Sequence, residues 1–322
     1  DHWGGRLISA TISNQNYLFY SIGDLGISED SSPNCYPNQA ENPNNFTQHP
    51  DSLQGKIHRF HMDGSIPADN PIPGNSFYTR GHRNPQGLAF NPEKEILYGV
   101  EHGDRTDDEV NVLRSGMNYG WKDIRGYAND GSHAGEEQFA NNYTPHPSIP
   151  GDELVDPIYS WCTDPNLNGS SWSEWCTVAP SGAEYVDNYE IPEWQNSLLV
   201  VTLKDGDYTD KSVRVLELND DGDEVIGEQI YFAEDQDTNG RLRDVALNEF
   251  GTIFLINNGG ADRDKITMYH YVFICGPWPP VTLEMYPNPS EGIVNFHAPD
   301  TLVSVYVYSL TGDLVLEEHG EI

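Results

Sequence analysis

Residues 81–114, GHRNPQGLAFNPEKEILYGVEHGDRTDDEVNVLR, indicate the fold class of the whole chain. The runs EILYGVE and EVNVLR are rich in β-branched and aromatic residues, and polar segments with Gly, Pro, Asn and Asp surround them. Short runs of this composition between turn residues are typical of β-strands. The stretch therefore predicts short strands joined by turns.

The same texture recurs along most of the chain. Further strand-like runs are NYLFYSIG (16–23), KIHRFHM (56–62), NSLLVVTLK (196–204), SVRVLELN (212–219), TIFLINN (252–258) and KITMYHYVF (265–273). Convincing amphipathic helices are nearly absent, so the candidates are an all-β sandwich, barrel or propeller. Long polar insertions at about 28–54 and 128–172 favour the propeller, although no repeat period is visible.

The net charge excludes some classes of partner. The 322 residues include 51 acidic and 17 basic side chains, a formal charge of -34. Such a surface repels nucleic acid and anionic lipid, and its simplest interpretation is solubility in a secreted or salt-exposed protein. Calcium is the partner that it favours, because calcium takes several oxygen ligands. No apolar run is long enough to predict a membrane span.

The cysteines lie at positions 35, 162, 176 and 275, and their number alone allows three full pairings. Cys162 and Cys176 are closest in sequence and flank a loop that a disulfide would close. The alternative is two buried free thiols. We expect the Cys162–Cys176 disulfide, because the rest of the chain is typical of an extracytoplasmic protein.

The composition changes near residue 275. The Pro-rich segment CGPWPPV (275–281) precedes an alternating run, VSVYVYSL (303–310), a TGD turn and LVLEE (314–318). Alternation and a tight turn predict a small β-sandwich module. We therefore expect a main domain over 1–274, a linker over 275–281 and a second domain over 282–322.

Three separated motifs resemble the family of soluble quinoprotein glucose dehydrogenases and aldose sugar dehydrogenases: GHRNPQGLAF (81–90), EHGDRTDDEVN (101–111) and NYGW (118–121). The similarity covers about residues 1–272. It implies a six-bladed β-propeller that holds pyrroloquinoline quinone (PQQ) and calcium. Because full-length members have about two more blades before the position of Asp1, we expect an N-terminally incomplete propeller that is a fragment of a longer chain.

The resemblance assigns three catalytic residues. His2 is the general base that takes the proton of the sugar's anomeric hydroxyl, and Asp24 orients it and stabilises its charged form. Arg83 bonds the reacting quinone oxygen, where negative charge develops. Without the resemblance, His2 would be interpreted as part of a frayed terminus and Asp24 as a turn residue.

The cofactor carries three carboxylates, so its site needs rigidly held cations. Besides Arg83, the resemblance places at the cofactor Asn84, His102, Thr177, Lys204, Arg241 and Arg243. Arg241 and Arg243 are spaced to share a strand face. The sequence suggests only turn-capping and packing roles for His82 and Gln86.

The resemblance also implies two calcium sites. The carbonyls of Gly103 and Asp104 would bind one ion beside the cofactor, although the family usually has Pro at position 104. A structural ion would use the Glu109 side chain and carbonyls near three further residues, Tyr119, Arg125 and Tyr127. The family's Asp at position 129 is Asn129 here, so we expect this second site to be weaker or built differently.

The C-terminal segment 282–322 resembles the type A sorting domain of the type IX secretion system of Bacteroidota, through YPNPSEG (286–292), VSVYVYS (303–309) and LTGDLV (310–315). Because the family's usual ending is incomplete at Ile322, we expect this sorting domain to be truncated. The resemblance implies export to the cell surface or medium and contact with the type IX machinery. The alternative is a generic β-sandwich appendage, for example one that binds carbohydrate.

The sequence thus predicts an exported, calcium-dependent PQQ enzyme that oxidises an aldose at its anomeric carbon to the lactone. Electrons would pass to an acceptor other than NAD or oxygen, and no Gly-rich dinucleotide fingerprint is present. The rival hypothesis is a non-catalytic secreted propeller that binds a carbohydrate or protein partner. A calcium-dependent ester or lactone hydrolase would need a water-activating carboxylate cluster that the sequence does not supply.

Overall fold

A computed structural model describes residues 2–26, 42, 45–164, 166, 174–187, 190–204, 212–232, 241–258 and 266–269, together with the backbone of 270, 284–288, 293–297, 304–308 and 314–319. The expected linker over 275–281 lies outside these residues. None of the helices in the described segments is long and apolar enough to cross a membrane.

The described residues confirm the all-β prediction. Sheets 1 to 3 each contain four antiparallel strands in sequence order, and sheet 4 contains three. Their strands are β1 Leu7–Ile12, β2 Gln15–Ile22, β3 Lys56–His61 and β4 Phe77–Arg80; β5 Pro85–Asn91, β6 Ile96–Glu101, β7 Asp108–Leu113 and β8 Tyr159–Trp161; β9 Pro180–Val186, β10 Ser197–Thr202, β11 Val213–Leu218 and β12 Val225–Tyr231; β13 Arg241–Leu247, β14 Thr252–Asn258 and β15 Ile266–His270.

Two further hairpins follow in the C-terminal segment: β16 Glu284–Asn288 with β17 Ile293–His297, and β18 Ser304–Tyr308 with β19 Leu314–His319. The strand predictions for VSVYVYS and LVLEE are therefore confirmed, whereas the TGD turn lies outside the described residues. The helical elements with complete bounds among the described residues are α1, Glu136–Asn141, and a 3-10 turn over Pro192–Trp194.

A hydrophobic core lies between each pair of consecutive sheets. One core joins sheets 1 and 2, a second joins sheets 2 and 3, and a third joins sheets 3 and 4. Strand β10 shows why: Leu198 and Val200 face the second core, whereas Leu199 and Val201 face the third. Successive side chains of a strand point to opposite faces, so a strand between two other sheets is apolar throughout.

Part of the expected insertion at 128–172 belongs to the sheets instead. It supplies α1 and β8, and β8 pairs with β7 to complete sheet 2. The segment before β8 is anchored by Asp152, whose buried carboxylate accepts hydrogen bonds from the Arg80 guanidinium at 2.8–3.0 Å. The few residues of β8 carry too weak a pattern to predict a strand.

The predicted disulfide is confirmed. Cys162 and Cys176 are bonded, and their Cα atoms lie 5.5 Å apart, within the usual range. The bond ties the chain just after β8 to the segment that leads into β9. It therefore links sheet 2 to sheet 3.

The first strands of the four sheets lie side by side, β1 beside β5, β5 beside β9 and β9 beside β13. Small residues permit this approach. A Cβ on Gly87 of β5 would lie 2.9 Å from the backbone of Gly182 and Ala183 in β9, and one on Gly182 would lie 2.9 Å from the carbonyl oxygen of Arg243 in β13.

The guanidinium of Arg6, just before β1, joins these first strands. It donates to the carbonyl oxygens of Gln86 in β5 (2.9 Å), Ser181 in β9 (3.0 Å) and Arg243 in β13 (3.3 Å). It also pairs with the carboxylate of Asp244. Five donors in a rigid plane suit this task, because no other side chain can satisfy so many acceptors at once.

We predict that Arg6→Ala lowers the free energy of unfolding by about 2–3 kcal/mol, because several hydrogen bonds to a charged group are lost together. Urea unfolding followed by tryptophan fluorescence measures the change. Arg114 is exposed, so Arg114→Ala is the matched control and should change the midpoint little. Equal effects of the two substitutions would contradict the linking role of Arg6.

Candidate active site

The structure brings His2 and Asp24 together. The Nδ1 atom of His2 lies 2.7 Å from Oδ1 of Asp24, whose side chain is inaccessible to solvent. Backbone bonds fix both segments, since the amide of Leu25 donates to the carbonyl of His2 and the amide of Asp24 to that of Arg83. If Nδ1 carries the proton, Nε2 presents a lone pair and is the basic atom.

Trp121 holds the second oxygen of Asp24. Its indole Nε1 donates to Oδ2 at 2.8 Å, and the amide of Gly26 donates to Oδ1 at 2.9 Å. The carboxylate therefore has one fixed orientation toward His2. Burial lowers the pKa of His2 below its ordinary value, and the hydrogen bond with Asp24 only partly opposes this. The imidazole is thus neutral near pH 7, as a general base requires.

Arg83 lies beside this pair. Its guanidinium is 5.4 Å from the ring of Trp121, donates to the carbonyl of His102 at 3.2 Å and lies 3.7 Å from the carboxylate of Asp104. Its Nε has no partner among the described residues, although it is buried. Burial lowers the pKa of Arg83, and the negative charges of Asp24 and Asp104 oppose this effect.

Glu101, at the end of β6, positions the loop that carries Arg83. Its Oε2 accepts the amides of Arg83 at 2.8 Å and Asn84 at 3.3 Å, and its Oε1 lies 2.7 Å from Nδ1 of His82. The His82 ring also stacks on Tyr119, with centroids 4.7 Å apart. His82 therefore holds the loop through a hydrogen bond to Glu101 and a ring contact with Tyr119, which is a more specific role than turn capping.

Gln86 also makes hydrogen bonds that hold the loop carrying Arg83. Its side-chain amide donates to Oδ1 of Asn84 at 3.3 Å, and its carbonyl accepts from Arg6. It holds the side chain of Asn84 and links the loop to the junction of the sheets.

His102 lies at the same place and is partly buried. Its Nε2 has no hydrogen-bond partner among the described residues. Burial is the main cause that lowers its pKa to about 3, and the positive charges of Arg83, His2 and Arg241 add to it. His102 is therefore neutral and presents a buried polar atom, and Arg241 belongs to its electrostatic neighbourhood.

The other predicted cofactor ligands are placed less uniformly. Lys204 and Thr177 are buried, and the ammonium of Lys204 donates to the carbonyl of Trp175. Arg241 is exposed on β13, and Arg243 donates to Oδ1 of Asn258 at 2.9 Å. The register of β13 shifts between Leu242 and Asp244, so simple alternation does not fix which face Arg243 occupies.

Asp108 ties Gly103 to the segment near Thr177. Its Oδ1 accepts the amide of Gly103 at 2.9 Å, and its Oδ2 accepts the amides of Val178 and Ala179 at 2.7 and 2.8 Å. Burial raises the pKa of Asp108 to about 6 despite these bonds. The sequence alone does not predict this role of Asp108, because Val178 and Ala179 lie at least 70 positions away in the chain.

Gly103 is a position where only glycine fits. A Cβ there would lie 1.8 Å from the carbonyl oxygen of Thr106. The tight loop brings Asp104 next to Arg83 and Arg125, with its carboxylate oxygens 3.7 and 3.8 Å from them. Asp104 stands where the related sequences usually have Pro, and its negative charge interacts with the two arginines.

The surroundings of Glu109 fit a hard cation in part. Its two oxygens already accept the amide of Gly126 at 2.8 Å and the side chain of Asn111 at 2.9 Å. Burial and the neighbouring Glu101 raise its pKa. Next to Gly126, Oδ1 of Asp107 and Oγ of Ser160 are buried without partners in the described part of the chain. These oxygens suit calcium chemically.

The described residues contain no group of three or more His, Cys, Asp or Glu side chains arranged to hold a metal ion. Main-chain carbonyls would therefore have to complete either calcium site. The ligand assignments to Gly103, Asp104, Glu109, Tyr119, Arg125 and Tyr127 remain predictions.

We predict that Trp121→Phe raises the pKa of His2, because the carboxylate of Asp24 loses a donor and stabilises the imidazolium more strongly. The ring over which Arg83 lies is kept. Proton-detected NMR of the histidine ring signals against pH measures the shift. Trp161→Phe removes a comparable bond, to Glu228, and should leave the pKa of His2 unchanged. A lowered or unchanged pKa in Trp121→Phe would refute the role of Trp121.

Comparison with known proteins gives two family matches. The sequence profile of the family "Secretion system C-terminal sorting domain" matches residues 284–321. The chain therefore carries a type IX sorting domain, which indicates export to the cell surface or secretion. The profile of the family "Glucose / Sorbosone dehydrogenase" matches residues 1–266.

Individual relatives agree with the second match. Quinoprotein glucose dehydrogenase B of Acinetobacter calcoaceticus is 34% identical over 245 residues, 64% of this chain and 50% of the relative. The aldose sugar dehydrogenase YliI of Escherichia coli is 28% identical over 80% of this chain and 57% of the relative. The chain thus spans about half the length of these curated relatives.

Solved structures show the same fold. A structure titled "glucose dehydrogenase" superposes with a TM-score of 0.58 at 26% identity, covering 85% of this chain and 65% of the other. The PQQ-bound aldose sugar dehydrogenase of Streptomyces coelicolor gives 0.54 at 25% identity, covering 83% and 61%. With a profile match over most of its length, the chain belongs to the glucose/sorbosone dehydrogenase family.

Proposed function

We propose that the protein is a PQQ- and calcium-dependent dehydrogenase that oxidises an aldose at its anomeric carbon to the lactone. Electrons then pass to an acceptor other than NAD or oxygen. The observation that carries the proposal is the neutral, partly buried His2 fixed by Asp24 beside the guanidinium of Arg83. A base next to a fixed cation is what removal of a proton and a hydride from one carbinol needs.

The reaction divides among these residues as follows. Nε2 of His2 accepts the proton of the anomeric hydroxyl, and Asp24 stabilises the imidazolium that results. Bound PQQ would supply the electrophile that accepts the hydride from the anomeric carbon. Arg83 donates hydrogen bonds where negative charge accumulates, so its contribution is larger in the transition state than in the ground state.

The residues present fit the cofactor. Nε of Arg83 and Nε2 of His102 are buried polar atoms without partners in the described structure, which is rare unless a ligand or water satisfies them. Asn84, Thr177 and Lys204 would complete the polar contacts, and Arg241 and Arg243 would hold carboxylates. Calcium would bind the carbonyls of Gly103 and Asp104, and a structural calcium would bind near Glu109.

We further propose that sheets 1 to 4 are consecutive blades of a six-bladed propeller. The cores between successive sheets and the side-by-side first strands support this arrangement. A linker over 275–281 would separate this domain, 1–274, from a β-sandwich sorting domain over 282–322. The partner of the sorting domain would be the type IX secretion machinery.

Substituting His2 tests the catalytic assignment. The protein is supplied with PQQ and calcium, and reduction of a redox dye is followed with a panel of aldoses. We expect turnover of at least one sugar, and we expect His2→Gln to lower kcat by about 100-fold or more because the base is lost. Quinone binding, measured by absorbance titration, should persist in His2→Gln.

His61, at the far end of β3, is the matched control, and His61→Gln should keep full activity. Full activity in His2→Gln would refute the base assignment. Sugar binding without any turnover would favour the non-catalytic propeller instead.

The pH dependence of kcat/KM follows from the pKa of His2. The base must be neutral to accept a proton, and its pKa lies below the ordinary value near 6.5. We therefore expect kcat/KM to be constant above about pH 6.5 and to fall as the pH drops through the lowered pKa. Steady-state rates between pH 4.5 and 8 measure this, and a fall that begins above pH 7 would contradict it.

A further inference from the structure

An open cavity of about 680 Å³ lies next to the candidate active site. It is bounded by the segment after Trp121 and by the segment that carries α1. We call it the α1 cavity. The residues that line it include Lys122, Arg125, His133, Glu136, Phe139 and Tyr143. Its volume is in the range of small-molecule sites. None of the catalytic residues His2, Asp24 and Arg83 lines it.

Glu136 supplies an acceptor that lacks a partner. The residue is 4% exposed, and its Oε1 accepts the amide of Arg125 at 2.8 Å. Its Oε2 is buried and has no hydrogen-bond partner among the described residues. Buried carboxylate oxygens are nearly always satisfied in folded proteins, so this oxygen calls for a donor from a ligand.

The rest of the lining decides the class of ligand. Lys122 and Arg125 can donate hydrogen bonds, and Glu136 and Asp123 can accept them, so neither sign of charge dominates. Phe139 and Tyr143 add two apolar faces, with ring centroids 6.2 Å apart. A neutral ring with many hydroxyl groups can use the donors, the acceptors and the apolar faces together, whereas an ionised phosphate or carboxylate oxygen has no hydrogen to donate to Glu136 and Asp123.

The cavity and the candidate active site share a wall. The guanidinium of Arg125 lies 5.9 Å from the Trp121 ring that also contacts Arg83. The carboxylate of Asp104 lies between the two arginines, 3.7 Å from Arg83 and 3.8 Å from Arg125. Arg125 and Asp104 therefore connect the cavity lining to the residues around Arg83.

We propose that the α1 cavity is a second carbohydrate subsite, which binds a neutral sugar residue of an oligosaccharide through Glu136, Arg125 and the faces of Phe139 and Tyr143. The proposal deepens the proposed function, on which its link to catalysis rests. Binding at the cavity does not itself require turnover.

Calorimetric titration of the full chain without PQQ tests the binding. The probes are maltotriose, cellotriose and xylotriose, with inorganic phosphate, glucuronate and calcium chloride titrated separately. We expect at least one trisaccharide to bind. Glu136→Gln should weaken its binding at least 10-fold, because glutamine still accepts the amide of Arg125 but presents a donor in place of the free oxygen.

Glu137 is the matched control, since it is exposed, follows Glu136 in α1 and does not line the cavity. Glu137→Gln should bind like the unaltered chain. Phe139→Ala should also weaken binding, and it provides a second variant if Glu136→Gln unfolds. Circular dichroism and the urea midpoint establish that each variant is folded.

The outcomes separate the proposals. No binding of any trisaccharide, equal binding by Glu136→Gln and Glu137→Gln, or Glu136-dependent binding of calcium, phosphate or glucuronate would overturn the subsite. Glu136-dependent trisaccharide binding without dye reduction by any sugar would uphold the subsite and refute the dehydrogenase. If the subsite and the dehydrogenase proposals are both correct, Glu136→Gln should lower kcat/KM for the trisaccharide. The value of kcat/KM for the monosaccharide should stay unchanged.

Discussion

The guanidinium of Arg6 meets the first strands of three other sheets at one point, and the arrangement of the site depends on that meeting. Hydrophobic cores fix how each sheet packs on the next, but burial is non-directional and tolerates small rotations. The hydrogen bonds from Arg6 to carbonyls of β5, β9 and β13 are directional and do not tolerate such rotations. They set the relative positions of the strand ends from which the site is built.

Around the site, buried polar groups hold one another in a single arrangement. Asp24 is fixed by Trp121 and orients His2, and Glu101 collects the amides of the Arg83 loop. Buried charges are expensive unless they are paired and hydrogen-bonded, so every pairing restricts the alternatives for its neighbours. Nε of Arg83 and Nε2 of His102, which have no partners among the described residues, are the atoms that we propose a ligand satisfies.

A strand could be predicted from the sequence when its signal lay in its own residues, and it could not when the signal lay in residues far away in the chain. The apolar runs of β2, β3, β10 and β11 are local and were recognised from composition. Strand β8 has three residues, and β9 buries Ser181, Gly182 and Ala183, whose small size is explained only by close neighbours in other strands. Neither strand could be predicted from its own residues.

The candidate site shows the same division. His2, Asp24 and Arg83 were identified through a resemblance, and the structure brings them together. Trp121 and Asp108 were missed as functional residues, because their partners lie 97 and 70 positions away and leave no local pattern. The roles of His82 and Glu101 emerged only from their hydrogen bond across the loop.

The span of the Arg6–Asp244 contact has a kinetic consequence. The two residues are 238 positions apart, so their pairing requires closure of nearly the whole domain. Long-range closure is slow and is favourable only after the intervening sheets have formed. Arg6 therefore reaches its full set of acceptors only once β13 has docked beside β9.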